Sequence, residues 1–102
     1  MTTELRDIGD GETLKANFTN NDSPAVAANP TTVTLKIRQP NGTVVTRSTA
    51  DSPATITNDV TGTFESDFTY AQEGRHFIEW VGTGTVVAAV SGERYVLRSN
   101  VA

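Results

Sequence analysis

Apolar and polar side chains alternate with a period of two along most of this chain, and Gly, Pro or Asn closes nearly every run. Thr32–Gln39 is the cleanest stretch. Val33, Leu35 and Ile37 share one face, and Thr34, Lys36 and Arg38 share the other. Successive strand side chains point to opposite sides, so this period predicts a strand buried on one face. Glu12–Thr19 reads the same way, with Leu14, Ala16 and Phe18 on the buried side. Thr63–Tyr70 places Phe64, Ser66, Phe68 and Tyr70 together. Arg75–Val81 sets His76, Ile78 and Trp80 against Arg75, Phe77, Glu79 and Val81.

Shorter signals fill the gaps. A brief element is expected around Leu5–Ile8, before Gly9-Asp10-Gly11. Pro40-Asn41-Gly42 predicts a hairpin turn into Thr43–Ser48, because Asn-Gly tolerates the positive φ that such turns need. Another short strand is expected at Ala54–Val60. The last, Glu93–Arg98, is read with Tyr95 and Leu97 inward. Thr85–Gly92 fits either an extension of the hairpin or a bulged loop, and Asn20–Pro30 reads as a polar loop. The pattern predicts seven or eight strands joined by short turns, with almost no helix. It points to an all-β, immunoglobulin-like antiparallel β-sandwich forming one domain over residues 1–102.

Composition supports a folded β protein. Val outnumbers Leu 11 to 4, and Thr supplies 17 residues, a bias toward side chains branched at Cβ that suit pleated strands. The net charge of −4 is too small to favour disorder. With 8 Lys and Arg against 12 acids, a nucleic-acid partner is disfavoured. Cysteine is absent, which excludes disulfides and thiolate chemistry. The opening Met-Thr-Thr-Glu-Leu-Arg-Asp lacks the apolar core of a signal peptide, and the longest apolar run, Val86 to Val90, is too short to cross a membrane.

The candidate catalytic groups read as structural. His76 is the only histidine, and its parity places it with the core. It has no second His and no Cys to share a metal. Glu65 and Asp67, two apart on one strand face, lie about 7 Å from each other, a spacing used in sugar hydrolysis. An open strand face, however, offers no pocket to raise one pKa. Asp7, Asp10 and Glu12 cluster at a glycine turn, as calcium ligands can, without the EF-hand spacing. The sequons at Asn17, Asn21 and Asn41 read as chance matches in a Thr-rich chain. No catalytic residue, metal or cofactor is expected.

The outward face of Arg75–Val81 is more informative. Phe77 and Val81 are apolar where solvent is expected, beside Arg75 and Glu79. A neighbouring Thr32–Gln39 strand would add Lys36 and Arg38. An aromatic anchor within a charged rim resembles a protein-contact surface. The competing reading is that Val86–Val90 folds back over Phe77 and makes it core.

Several segments in order carry a family resemblance. They are Asp7-Ile8-Gly9-Asp10; Pro30-Thr31-Thr32-Val33-Thr34-Leu35 running on to Gln39-Pro40-Asn41-Gly42-Thr43; Thr61-Gly62-Thr63-Phe64; Gly74 through Gly84, including Trp80-Val81-Gly82-Thr83-Gly84; and Glu93-Arg94-Tyr95-Val96-Leu97. Together they resemble the small immunoglobulin-like virion proteins of tailed bacteriophages and prophages. The resemblance implies a non-enzymatic structural protein of the neck, head–tail junction or capsid surface. It implies other virion proteins as partners, several symmetric copies, and assembly in the host bacterial cytoplasm, with no nucleic acid and no membrane. His76 departs from the family pattern, where an aromatic ring is usual. The alternative is an immunoglobulin-like module of a bacterial surface protein that contacts glycan or a receptor.

Overall fold

The alternation is realised as eight strands among residues 3–20, 26–84 and 86–97, which the computed structural model describes. They are β1 (Thr3–Asp7), β2 (Gly11–Asn17), β3 (Thr32–Arg38), β4 (Val44–Ser48), β5 (Thr57–Val60), β6 (Thr63–Thr69), β7 (Gly74–Thr83) and β8 (Ala88–Leu97). None of the described residues is helical. Two sheets form, with strand orders β1-β8-β7-β3-β4 and β2-β6-β5. The expected all-β sandwich is realised: every pairing is antiparallel except that of β1 with β8, which is parallel.

The core lies between the sheets. Leu14, Ala16 and Phe18 from β2 and its end meet Phe64 and Phe68 of β6, and Val33, Leu35, Ile37, Ile78 and Trp80 close from the other side. Phe18 and Phe64 pack edge-to-face with ring centroids 5.7 Å apart, a favoured arrangement for two quadrupoles. Gly82 is needed here for space. A Cβ on it would stand 2.6 Å from the ring of Pro30 and 3.1 Å from Phe18. At the Asn41-Gly42 turn, Gly42 takes a φ of 91°, and the hairpin returns as β4, one residue later than expected.

Two expectations need correction, and one open reading is settled. The parity of β8 is reversed: Val96 is fully buried, whereas Tyr95 and Leu97 point outward and are each 39% exposed. Arg94 takes an inward position instead, where Glu12 meets its charge. The strand expected at Ala54–Val60 shortens to Thr57–Val60, because the Thr55 carbonyl accepts from the Ser66 hydroxyl and Ile56 turns into the core. The upper half of β6 therefore has no β5 beside it. Arg47 of β4 crosses to this open edge and donates to Ser66 Oγ and to the Asp67 carbonyl. Its guanidinium lies 5.6 Å from the Phe68 ring centroid. Finally, the ambiguous stretch resolves in favour of a longer hairpin, since β8 begins at Ala88 and pairs with β7 from Gly82 onward. Thr85, residues 21–25 with their Asn21 sequon, and Arg98 lie outside the described residues.

Candidate functional site

The outer face of the five-stranded sheet brings the proposed contact residues together. Strand registers define its rows. Val44, Arg38, Phe77 and Glu93 lie side by side, and Thr46, Lys36, Glu79 and Ser91 form the next row. On the other side of Phe77, Arg75 stands beside Tyr95, and in the row after that of Glu79, Val81 stands beside Ala89. Phe77 is 45% exposed at the centre. It lines a shallow groove with Lys36, Arg38, Val44, Glu79 and Ser91. The competing reading, in which Val86–Val90 covers Phe77, does not hold. Val86 turns into the core, and residues 88–90 pair edge to edge with β7.

Apolar and charged groups are interleaved on this face. Val44, Phe77, Tyr95 and Leu97 are exposed large apolar residues. Arg75 and Glu93 form a diagonal ion pair at 3.2 Å. Arg75 is largely solvated, so the pair adds about 0–1 kcal/mol to stability. Val44, Glu93, Tyr95 and Leu97 join the site without having been anticipated. The missing signal was the β8 parity. Once Arg94 is placed opposite His76 on the inward side, Tyr95 must share the face of Phe77.

A second polar cluster, half-buried and packed on the buried Tyr70 and His76, lies at one end of the sandwich. Glu12 of β2 accepts from Arg94 at 2.9–3.1 Å, from Arg6 at 3.1 Å and from the Tyr70 hydroxyl at 2.6 Å. Burial works against its charge, but the Arg94 and Tyr70 hydrogen bonds outweigh it and hold the carboxyl below its ordinary pKa of 4.5. Burial, together with the donation to Glu12, raises the Tyr70 phenol well above its usual range. His76 stacks edge-on against Tyr70 at 5.2 Å. Its Nδ1 faces the Gly74 carbonyl at 3.3 Å, which places the proton there. Its Nε2 is buried without a hydrogen-bond partner among the described residues. Burial lowers its pKa below 6.5, and the Gly74 contact offsets only part of that.

The remaining candidates are engaged elsewhere. Glu65 and Asp67 lie on the outward face of β6, as their parity requires. They border an open groove with Thr13, Arg47, Thr55 and Thr57, because the crossing of Arg47 and the loop before β5 raise a rim. Asp67 accepts from the Thr13 hydroxyl at 2.7 Å, and Glu65 faces Lys15 at 3.9 Å. Of the acids at the glycine turn, Glu12 is engaged by Arg6, Arg94 and Tyr70. The Asp7 side chain is outside the described residues. Asn17 accepts from Thr63, and Asn41 caps its own turn by accepting from the Thr43 amide.

Compared with models of known protein families and with curated protein sequences, the chain finds no match.

Proposed function

We propose that this chain is a non-enzymatic, immunoglobulin-like structural module that joins a protein assembly through the Phe77 face, and that the assembly is the virion of a tailed bacteriophage. One observation carries the contact role. A large aromatic side chain stands half-exposed at the centre of a charged sheet face, although the same sheet buries Trp80 and Ile78 from the same strand. Large apolar side chains gathered within a polar rim are what protein interfaces bury.

The order β1-β8-β7-β3-β4 over β2-β6-β5 supports the immunoglobulin-like reading. It sets the strands that pair in such Greek keys side by side, with the first strand crossing to the far sheet. The virion assignment rests on the sequence resemblance, and with it go the neck or capsid position, the multiple copies and assembly in the host cytoplasm. The non-enzymatic reading is supported by the engagement of Glu12 with Arg6, Arg94 and Tyr70 and by the burial of His76 away from solvent.

Phe77→Asp tests the reading. The variant is expected to remain folded, with an unchanged far-ultraviolet circular dichroism spectrum, and to be missing from purified particles by mass spectrometry. Incorporation at the wild-type copy number would overturn the contact role.

A further inference from the structure

We propose that the partner of the Phe77 face is the same face of a second copy, packed about a two-fold axis with the strands of the two copies crossing steeply. The proposal rests on the reading of that face as a contact surface, and it comes from the placement of charge. Four charged residues surround Phe77. Arg75 and Glu79 lie two residues before and after it on β7, and Arg38 and Glu93 flank it on β3 and β8. A diagonal drawn through Lys36, Phe77 and Tyr95 leaves both arginines on one side and both glutamates on the other.

An interface between identical copies must be complementary to itself. A two-fold axis lying along that diagonal, in the plane between two such faces, sets Arg38 over Glu79 and Arg75 over Glu93, each contact occurring twice. It also brings Phe77 onto Phe77, Tyr95 onto Tyr95 and Val44 onto Val81. The other axes do worse. An axis along β7 leaves Arg75 on Arg75 and Glu79 on Glu79. One across the strands leaves Arg38 on Arg38 and Glu93 on Glu93. The opposite diagonal sets like charge on like charge at all four positions.

The favoured axis runs obliquely to the strands, so the strands of the two copies cross at about 70°, near the orthogonal arrangement that is one of the two preferred ways for sheets to pack. The step along a strand face is about 6.8 Å and across strands about 4.8 Å, a mismatch of about 2 Å that long Arg and Glu side chains span. Lys36 lies on the axis and meets its own copy. Glu79, its cross-strand neighbour, offsets that repulsion. Five strands outline an area on the order of 700 Å², close to the ~800 Å² per partner of an ordinary specific interface. Of the seven large apolar residues exposed among the described residues, four lie on this face.

Sedimentation equilibrium from about 10 μM to about 1 mM tests the pairing. The wild type is expected to rise from the 10.9 kDa chain mass toward twice that value. Arg38→Glu and Glu79→Arg, each verified as folded by circular dichroism, should each remain monomeric, since each sets like charges together twice. An equimolar mixture of the two restores opposite pairs and should recover the dimer. A wild type that stays at the chain mass throughout, or single variants that dimerise as well as the wild type, would overturn the proposal. A monomeric wild type whose Phe77→Asp variant is still missing from particles would remove self-pairing and leave the docking role. A dimeric wild type whose Phe77→Asp variant still enters particles would support self-pairing and remove the docking role.

Discussion

His76 has no solvent exposure and faces Arg94 across the β7–β8 ladder, with the Tyr70 ring against it and Glu12 beyond. Protonating it would place a second cation beside Arg94 in a dry site. Because its folded pKa lies below 6.5, the unfolded chain binds the extra proton first as pH falls. Stability is therefore whole above pH 6.5 and declines below it until the folded pKa is reached, by at most about 1.4 kcal/mol per pH unit. His76→Phe is expected to abolish this decline. At pH 7.5 it should leave stability equal or higher, since it removes an unpaired buried acceptor without leaving a void. Urea midpoints across pH 5–7.5 check both outcomes. Glu12 acts in a lower window. Its depressed pKa gives stability that is present above 4.5 and lost as pH falls through the folded value. Glu12→Gln should cost about 1–3 kcal/mol at neutral pH by leaving two half-buried arginines without their carboxylate, measured by chemical unfolding. The burial of His76 was legible in the sequence, because it shares parity with Ile78 and Trp80. The Glu12–Arg94 pair was not, because 82 residues separate its members and nothing local marks either as inward.

Strand elements with a strict apolar face were plain in the sequence. β2, β3, β6 and the Trp80 strand place their side chains as the alternation requires. β8 misled for a physical reason. Its inward set is Ala88, Val90, Gly92, Arg94 and Val96, small or charged apart from the two valines, while bulkier Tyr95 and Leu97 occupy the outward set. A pattern that weighs side chains by size chooses the wrong face. The two parities make opposite expectations in a denaturation experiment. Val96→Ala should destabilise by about 1.5–3 kcal/mol through a lost methyl pair and residual cavity, and Tyr95→Ala by less than about 1 kcal/mol. A larger loss at Tyr95 than at Val96 would restore the original orientation. β5 was overextended because Ala54–Val60 carries β-forming residues but spends Thr55 and Ile56 on contacts with β6 and the core. Arg47 covers the edge this leaves. Arg47→Ala should cost about 1–2 kcal/mol by exposing the Asp67 carbonyl and uncovering Phe68.

At the scale of the molecule, two sheets wrap one core and leave one face that combines exposed apolar groups with both signs of charge. Arg75, Phe77, Glu79 and Val81 were assigned to that face from parity alone. Lys36 and Arg38 were added by expecting β3 beside β7, which the register bears out at Lys36↔Glu79 and Arg38↔Phe77. Under the proposed docking role, what covers this face would be a property of an assembly, which leaves no mark in the periodicity of one chain. Hydroxyl-radical footprinting reads it directly, by comparing oxidation of the peptide carrying Phe77 in the free chain at low concentration and in purified particles. Strong oxidation in the free chain and its loss on assembly are expected. Equal oxidation in both states, with protection appearing on another surface, would contradict the assignment of this face as the point of attachment.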